Sequence, residues 1–157
     1  MFSESKALEN KFMRYAIDEA KKAAKNGDVP VGAVLVKNGE IIARAHNTRE
    51  KENSILGHAE ISVILDAGKK FNNWRLDGTQ LYVTLEPCLM CFGAIKAARI
   101  DSLYFGAYDR QEGALSAYKE IDKNTSLKCY CGIMEDECSK LLTGFFVEQR
   151  KRNTYKS

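Results

Sequence analysis

Two short segments of this chain combine one histidine, one glutamate and two cysteines at spacings that suit a metal site. The first holds His58 two positions before Glu60, and the second, Pro87–Cys91, contains a Cys-x-x-Cys pair. One imidazole and two thiolates supply three of the four ligands that zinc usually takes, and an open fourth position distinguishes a catalytic zinc site from a structural one. The spacing therefore predicts a Zn²⁺ site made of His58, Cys88 and Cys91, with one position open to water.

Glu60 is the candidate catalytic residue of this site. It lies too close to His58 to be a casual surface charge, and the zinc set does not need it as a ligand, so it suits the role of a proton carrier for the water. A Cys-x-x-Cys pair alone could be a redox pair or half of a structural zinc site. His-x-Glu followed by Pro-Cys-x-x-Cys is, however, the signature of zinc-dependent nucleobase deaminases. We therefore interpret the site as catalytic.

Length and composition place the chain among ordinary globular proteins. Its 157 residues, 45% of them hydrophobic, fit one domain with a single core, so we expect residues 1–157 to form one unit. No apolar run approaches membrane-spanning length, which argues against a membrane protein. The first residues lack the features of a secretory signal, and five cysteines, an odd number, favour reduced thiols over disulfides. These features predict a cytoplasmic location.

Basic residues crowd the C-terminal end, although the net charge of the chain is only +3. Such a cluster can hold a phosphate-bearing partner. It can equally be a frayed, solvated tail with no specific partner. Charge alone leaves both interpretations open for Arg150, Lys151, Arg152 and Lys156.

Hydrophobic periodicity predicts alternating helices and strands. An Asn-Gly turn at 38–39 joins the first two strands as a hairpin, and a polar loop is expected over 46–57. The second helix is expected to bury Ile61, Ile64 and Leu65. The predicted helices cover 8–25, 58–68, 87–98, a short stretch that ends near 121, and 135–150, and the predicted strands cover 32–36, 41–45, 81–85, 103–105 and 127–131.

The order strand, helix, strand over 81–105 implies a parallel strand pair with a right-handed crossover. Such a crossover places the second and third helices beside the same sheet and brings His58 to the two cysteines. At a helix N-terminus the helix dipole also favours the thiolate form that zinc requires. The predicted fold is an α/β three-layer α/β/α sandwich with a mixed central sheet.

Three further groups of residues allow either a purely structural or a functional interpretation. His46 has no ligand partner at suitable spacing and is expected to be a loop residue, although it adjoins Asn47. Cys129 and Cys131 alternate along a strand and are expected to pack as small apolar side chains instead of binding a second metal. For Phe145 and Phe146, helical spacing makes one a core residue, while the other could stack on a base or contact another subunit.

The chain resembles the bacterial tRNA-specific adenosine deaminases of the cytidine-deaminase-like superfamily. The similarity spans most of the sequence and includes the metal motif with the segments before and after it. The matching segments are Val29–Val34, Asn47, His58–Glu60, Asn73–Leu76, Leu81–Cys91, Phe105–Ala107 with Asp109 and Gly113, and Asp136–Cys138 with Leu141, Leu142, Phe145, Phe146 and Arg150.

The resemblance implies deamination of adenosine to inosine at the wobble position of a tRNA anticodon stem-loop, with one zinc ion per subunit and a homodimer whose partner helps to shape the site. It also implies that Asn47 hydrogen-bonds the flipped base and that the backbone near Ala59 and Leu85 lines the edges of the base. The remaining implied substrate contacts are Asp109, Phe145 and Arg150.

The zinc motif alone also admits a free nucleobase or nucleoside deaminase that acts on cytosine or guanine. Two features depart from the tRNA-acting family: Asn124–Thr125 stands where that family usually has an Asn-His pair, and Val147–Gln149 stands where arginines are frequent. Both lie on surfaces expected to meet RNA. A zinc-bound nucleic-acid-binding module is a further alternative, but a structural site has no use for a carboxylate at Glu60.

Overall fold

The computed structural model describes residues 2–118 and 126–156; Asn124–Thr125 lies outside them. The described helices and strands follow in chain order. They are α1 Phe2–Lys25, β1 Gly32–Lys37, β2 Glu40–His46, α2 Arg49–Glu52, α3 Ala59–Phe71, β3 Thr79–Leu85, α4 Leu89–Ala97, β4 Ser102–Ala107, α5 Ala114–Ala117, β5 Lys128–Tyr130 and α6 Glu135–Lys156.

The five strands form one mixed sheet in the order β2-β1-β3-β4-β5. Strand β1 pairs antiparallel with both β2 and β3, whereas β3, β4 and β5 are parallel. The predicted hairpin turn is present, with positive φ angles at Asn38 and Gly39 that suit a tight two-residue connection. The parallel β3–β4 pair is joined through α4, so the predicted parallel pairing across a helix is confirmed.

Side chains that alternate along the strands supply two separate cores. Leu35 and Val83 point to one face and pack with Val63 of α3 and Phe92 of α4. The opposite face carries Val34 and Tyr82, which pack with α1 and with Cys138 of α6. Helices therefore cover both faces of the sheet, and the predicted three-layer α/β/α sandwich is confirmed.

Gly32 allows α1 to lie unusually close to the sheet. A Cβ atom at this position would overlap the carbonyl oxygen of Ala16 and the amide nitrogen of Ala20, both in the α1 backbone. No side chain can be accommodated without moving the helix. The backbone N–H of Gly32 donates to Oγ1 of Thr84 over 3.1 Å, which also joins β1 to β3.

The structure corrects several details of the sequence prediction. The expected loop over 46–57 contains the short helix α2, and α3 begins after His58 and extends to Phe71. The buried face of α3 is formed by Val63 and Ala67, whereas Leu65 is 57% exposed. Ile64 packs against the core as expected, although it is only partly buried, so the apolar stripe is rotated slightly from the one expected.

The other expectations for single residues have mixed outcomes. His46 ends strand β2, with Nδ1 3.0 Å from a carboxylate oxygen of Glu19. Cys129 packs against the core as expected, but Cys131 lies just beyond β5 and is exposed. Phe145 is half-buried and meets the exposed Phe146 edge to face. Within the described ranges, no helix is long and apolar enough to cross a membrane.

Candidate active site

Two helix N-termini converge at the carboxyl end of β3. His58 occupies the N-cap position of α3 and Cys88 that of α4, while Cys91 follows in the first turn of α4. The positive ends of both helix dipoles therefore point toward the same place, where they favour negatively charged sulfur. Sequence reasoning placed His58 inside the first turn; it precedes that turn by one residue.

The three side chains lie at distances that suit tetrahedral zinc. Nδ1 of His58 is 3.4 Å from Sγ of Cys91 and 3.7 Å from Sγ of Cys88. Zinc bonds of about 2.0–2.3 Å at tetrahedral angles separate a nitrogen and a sulfur ligand by about 3.5 Å. Among the residues that the structure describes, His58, Cys88 and Cys91 form a group whose donor atoms lie within 4.8 Å of one another, close enough to bind one metal ion. The donor set and its spacing therefore fit zinc.

The cysteines share negative charge unevenly. A hydrogen bond with Cys91 is the main cause that lowers the pKa of Cys88 to about 4, against the opposing effect of burial, and His58 contributes in the same direction. The Cys91 thiol donates that hydrogen bond, which raises the pKa of Cys91, and burial and the carboxylate of Glu60 act in the same direction. A hydrogen bond to Cys88 raises the pKa of His58 despite its partial burial. A divalent cation would displace these protons.

Glu60 is a buried carboxyl group beside the cysteines. It is only 4% exposed, and burial is the main cause that raises its pKa. Its side chain lies within hydrogen-bonding contact of Cys91 and also lines the adjacent cavity. A carboxyl group in this position can exchange a proton with a molecule in the cavity.

A cavity of about 430 Å³ opens beside the three ligand residues. Four of the six expected substrate-binding residues line it: Asn47, Ala59, Leu85 and Asp109. The other two, Phe145 and Arg150, lie on α6 and do not belong to this lining. Sequence reasoning did not assign a role to several further lining residues, namely Val29, Val31, Arg49, Glu86 and Glu112.

Asn47 is fixed in the cavity wall by hydrogen bonds at both ends of its amide. Its Nδ2 donates to the carbonyl of Val29 over 3.2 Å, and its Oδ1 accepts from the N–H of Arg49 over 3.0 Å. A side-chain amide has two N–H groups and two acceptor lone pairs, so one of each is left for a ligand. Asn47 is therefore already oriented before any ligand binds.

Glu86 is the most informative residue that sequence reasoning missed. It is 2% exposed, and its carboxylate accepts hydrogen bonds from the segment 109–116, which is distant in sequence. The one available signal was its position directly before Pro87 in the metal motif. A charged residue there, between a buried strand and a buried helix, needs a buried partner.

Comparisons with known proteins agree with this geometry. Residues 6–107 match the family model described as cytidine and deoxycytidylate deaminase zinc-binding region. A tRNA-specific adenosine deaminase of Bacillus subtilis is 48% identical over 145 residues, which cover 90% of each chain.

Two solved structures extend the comparison. A tRNA:A34 deaminase studied for A-to-I editing at the wobble position has a TM-score of 0.78 and 41% identity over 84% of this chain and 99% of its own. The guanine deaminase of Bacillus subtilis has a TM-score of 0.63 and 36% identity over 73% of this chain and 77% of its own. The resemblance seen in the sequence is thus confirmed: the chain belongs to the zinc-binding cytidine and deoxycytidylate deaminase family and, within it, to the tRNA-specific adenosine deaminases.

Proposed function

We propose that this chain is a zinc-dependent hydrolase that converts adenosine to inosine at the wobble position of a tRNA anticodon loop. The observation that carries the proposal is the 48% identity with a tRNA-specific adenosine deaminase over 90% of both chains. The similarity extends well past the metal motif, into the segments that surround the cavity. Residues 1–157 would act as a single deaminase domain.

His58, Cys88 and Cys91 would hold one zinc ion per chain. A bound zinc ion supplies a Lewis acid that makes water an effective nucleophile near neutral pH. The protein supports this chemistry by directing two helix N-termini at the ligand residues, which stabilises the thiolates. Burial of Cys91 also excludes competing water from that side of the site.

Glu60 would move the protons of the reaction. Its carboxylate takes a proton from the attacking water and delivers it to the ring nitrogen beside the carbon under attack; a later proton transfer helps the amine to leave as ammonia. Its burial supports this role, because a carboxylate with a raised pKa is a stronger base and takes a proton from water more readily.

The cavity is suited to a single flipped base. Apolar side chains of Val29, Val31 and Leu85 line it together with the polar amide of Asn47 and the carboxylate of Asp109. We assign Asn47 to a hydrogen bond with the base and the backbone near Ala59 and Leu85 to its edges. An anticodon loop is a favourable substrate because its bases are already partly unstacked and cost little to turn outward.

The outer half of α6 would contact RNA outside the cavity. Phe145 and Arg150 lie there, away from the cavity lining, together with exposed basic side chains near the C-terminal end of the helix. These positions suit the nucleotides that flank the flipped base, through stacking and phosphate contacts.

We also infer a cytoplasmic homodimer. Large apolar side chains are exposed on the 54–57 loop and on α3 and α4, and a second copy of the chain would cover them. They are Ile55, Leu56, Leu65 and Leu89. Sedimentation analysis at micromolar concentration should show two chains per particle; a monomer at all concentrations would contradict the inference.

A second candidate is deamination of a free nucleobase or nucleoside, which the 36% identity with guanine deaminase favours. Salt dependence separates the two candidates. Turnover of an anticodon stem-loop should weaken steeply between about 50 and 200 mM salt, because phosphate contacts release counterions. Turnover of free guanine, cytosine or adenosine should hardly change. Salt-insensitive activity confined to a free base would overturn the tRNA proposal.

A further inference from the structure

Glu86 joins the metal-binding segment to the opposite wall of the cavity. One carboxylate oxygen, Oε1, accepts from the N–H of Asp109 over 3.2 Å and from Oγ of Ser116 over 2.5 Å. The other, Oε2, accepts from the N–H of Leu115 over 3.0 Å and from the N–H of Ser116 over 2.8 Å. Four donors therefore converge on one carboxylate that is 2% exposed.

Other contacts hold the same two segments together. The N–H of Ala114 donates to the carbonyl of Pro87 over 2.9 Å, and Gly113 forms an isolated bridge with Cys88. A Cβ atom on Gly113 would overlap the Glu86 carboxylate, so the approach leaves no room for a side chain. The 109–116 segment thus lies directly against the residue that precedes the cysteine motif.

Asp109 connects Glu86 to the turn that forms this wall of the cavity. Its Oδ1 accepts from the N–H groups of Gln111 and Glu112 over 3.1 and 3.0 Å, and its carbonyl accepts from the N–H of Gly113 over 2.9 Å. The turn is therefore closed by its own hydrogen bonds. Because Asp109 and Glu112 both line the cavity, the location of the whole turn sets the width of the cavity.

We propose that Glu86 is a positioning residue, which holds the Asp109–Glu112 wall at a fixed distance from His58, Cys88 and Cys91. The proposal rests on the proposed function and deepens it: the wall that contacts the substrate base would be placed by the segment that carries the zinc ligands. Glu86 itself need not touch the substrate, since its carboxylate already accepts four hydrogen bonds.

Glu86→Gln tests this role with little change of shape. An amide replaces one acceptor oxygen with a donor. With its oxygen at the Oε2 position, the amide keeps the hydrogen bonds from Leu115 and Ser116, and the Ser116 hydroxyl can rotate to accept from the new NH₂ group. The N–H of Asp109 then faces a donor and loses its partner. The substitution should therefore release the Asp109 turn selectively.

The experiment compares steady-state deamination of an anticodon stem-loop by zinc-loaded wild type, Glu86→Gln and two controls. Loss of a buried hydrogen bond to a charged group predicts that KM for Glu86→Gln rises about tenfold or more. We expect kcat to stay within about threefold, because only substrate positioning is lost. Zinc per chain and the visible spectrum of the cobalt-substituted protein, which reports ligand geometry, should match wild type.

The controls separate positioning from stability. Ser116→Ala removes the hydroxyl but leaves the three backbone hydrogen bonds to Glu86, so KM should change less than about threefold. Val36 is buried at the end of the sheet opposite Glu86. Val36→Ala should lower the free energy of unfolding and leave KM unchanged. An unchanged KM for Glu86→Gln, or a loss of zinc that accounts for its lost activity, would overturn the proposal.

Amide hydrogen exchange of the wild-type protein supplies a test that does not need the variant to fold. The N–H groups of Asp109, Leu115 and Ser116 should exchange slowly although they lie outside the sheet. Fast exchange at Asp109 would contradict the proposal. If wild type deaminates only a free base, the proposed function fails, while the same KM comparison with that base still decides the role of Glu86.

Discussion

Nδ1 of His58 lies 3.4 Å from Sγ of Cys91, although 33 positions of sequence separate the two residues. The contact exists because α3 and α4 lie side by side on one face of the sheet and begin at the same edge. Each helix therefore contributes a ligand from its positively polarised end. The site depends on the convergence of these two helix N-termini.

Glu60→Gln should abolish turnover without removing zinc. The amide cannot accept and return a proton, and proton transfer by a positioned group contributes about 10² to 10⁴ in rate. We expect kcat to fall by at least about a hundredfold, with unchanged zinc per chain and unchanged circular dichroism. Asp66→Asn, on the exposed side of the same helix, serves as the matched control. Turnover retained in Glu60→Gln would refute the assigned role.

Cys91→Ala should lose zinc and activity together. Two ligands remain, and one fewer thiolate weakens a site that zinc normally fills with three protein ligands. Zinc per chain, measured after dialysis, should fall well below that of wild type. Cys138→Ala is the matched control, since Cys138 is also buried but packs between α6 and the sheet. Equal zinc content in both variants would argue against Cys91 as a ligand.

Gly32→Ala should destabilise the fold because the added methyl group forces α1 away from the sheet. Overpacking of this kind costs about 1–3 kcal/mol of unfolding free energy. Urea denaturation measures the change. Gly144→Ala on α6 meets no heavy atom within 4 Å and should be neutral or stabilising by up to about 1 kcal/mol. A neutral Gly32→Ala would show that α1 can shift freely.

Glu19→Gln should reduce stability in a pH-dependent manner. Burial alone would raise the pKa of Glu19, but hydrogen bonds from Lys22 and His46 hold it below its ordinary value of 4.5. A pKa that is lower in the folded state contributes stability above the unfolded value, and this stability is lost as pH falls toward the folded pKa.

At pH 7 the Glu19→Gln variant should therefore be less stable than wild type by about 1–3 kcal/mol. The difference should shrink as the pH falls below about 4.5, where the wild-type carboxylate takes up a proton. Denaturation curves at both pH values provide the measurement. A difference that stays constant with pH would show that the charge of Glu19 contributes nothing.

Much of the site could be predicted because its chemistry is encoded in short spacings. His58, Cys88 and Cys91 belong to two compact motifs, and the parallel crossover that brings them together follows from element order. The mixed sheet and the two helical layers were also predictable, since β1 and β3 are nearly continuous apolar runs of the kind found in strands buried on both faces.

Other features depend on contacts that no local pattern encodes. The donors to Glu86 come from residues 23 to 30 positions later, so its role became visible only in the structure. Asp28 is similar: its carboxylate accepts from the N–H groups of Glu50 and Lys51 and fixes α2, within a stretch that was expected to be a loop. The exposure of Leu65 follows from the rotation of α3 against its neighbours, which hydrophobic periodicity alone does not fix.

The most direct test of wobble-adenosine deamination is ammonia release by the zinc-loaded protein from an anticodon stem-loop with adenosine at the wobble position, beside free cytosine, guanine and adenosine. We expect release from the stem-loop, with inosine at that single position, and no release from a stem-loop that carries guanosine there. Release from a free base alone would preserve the zinc chemistry and contradict the assigned substrate.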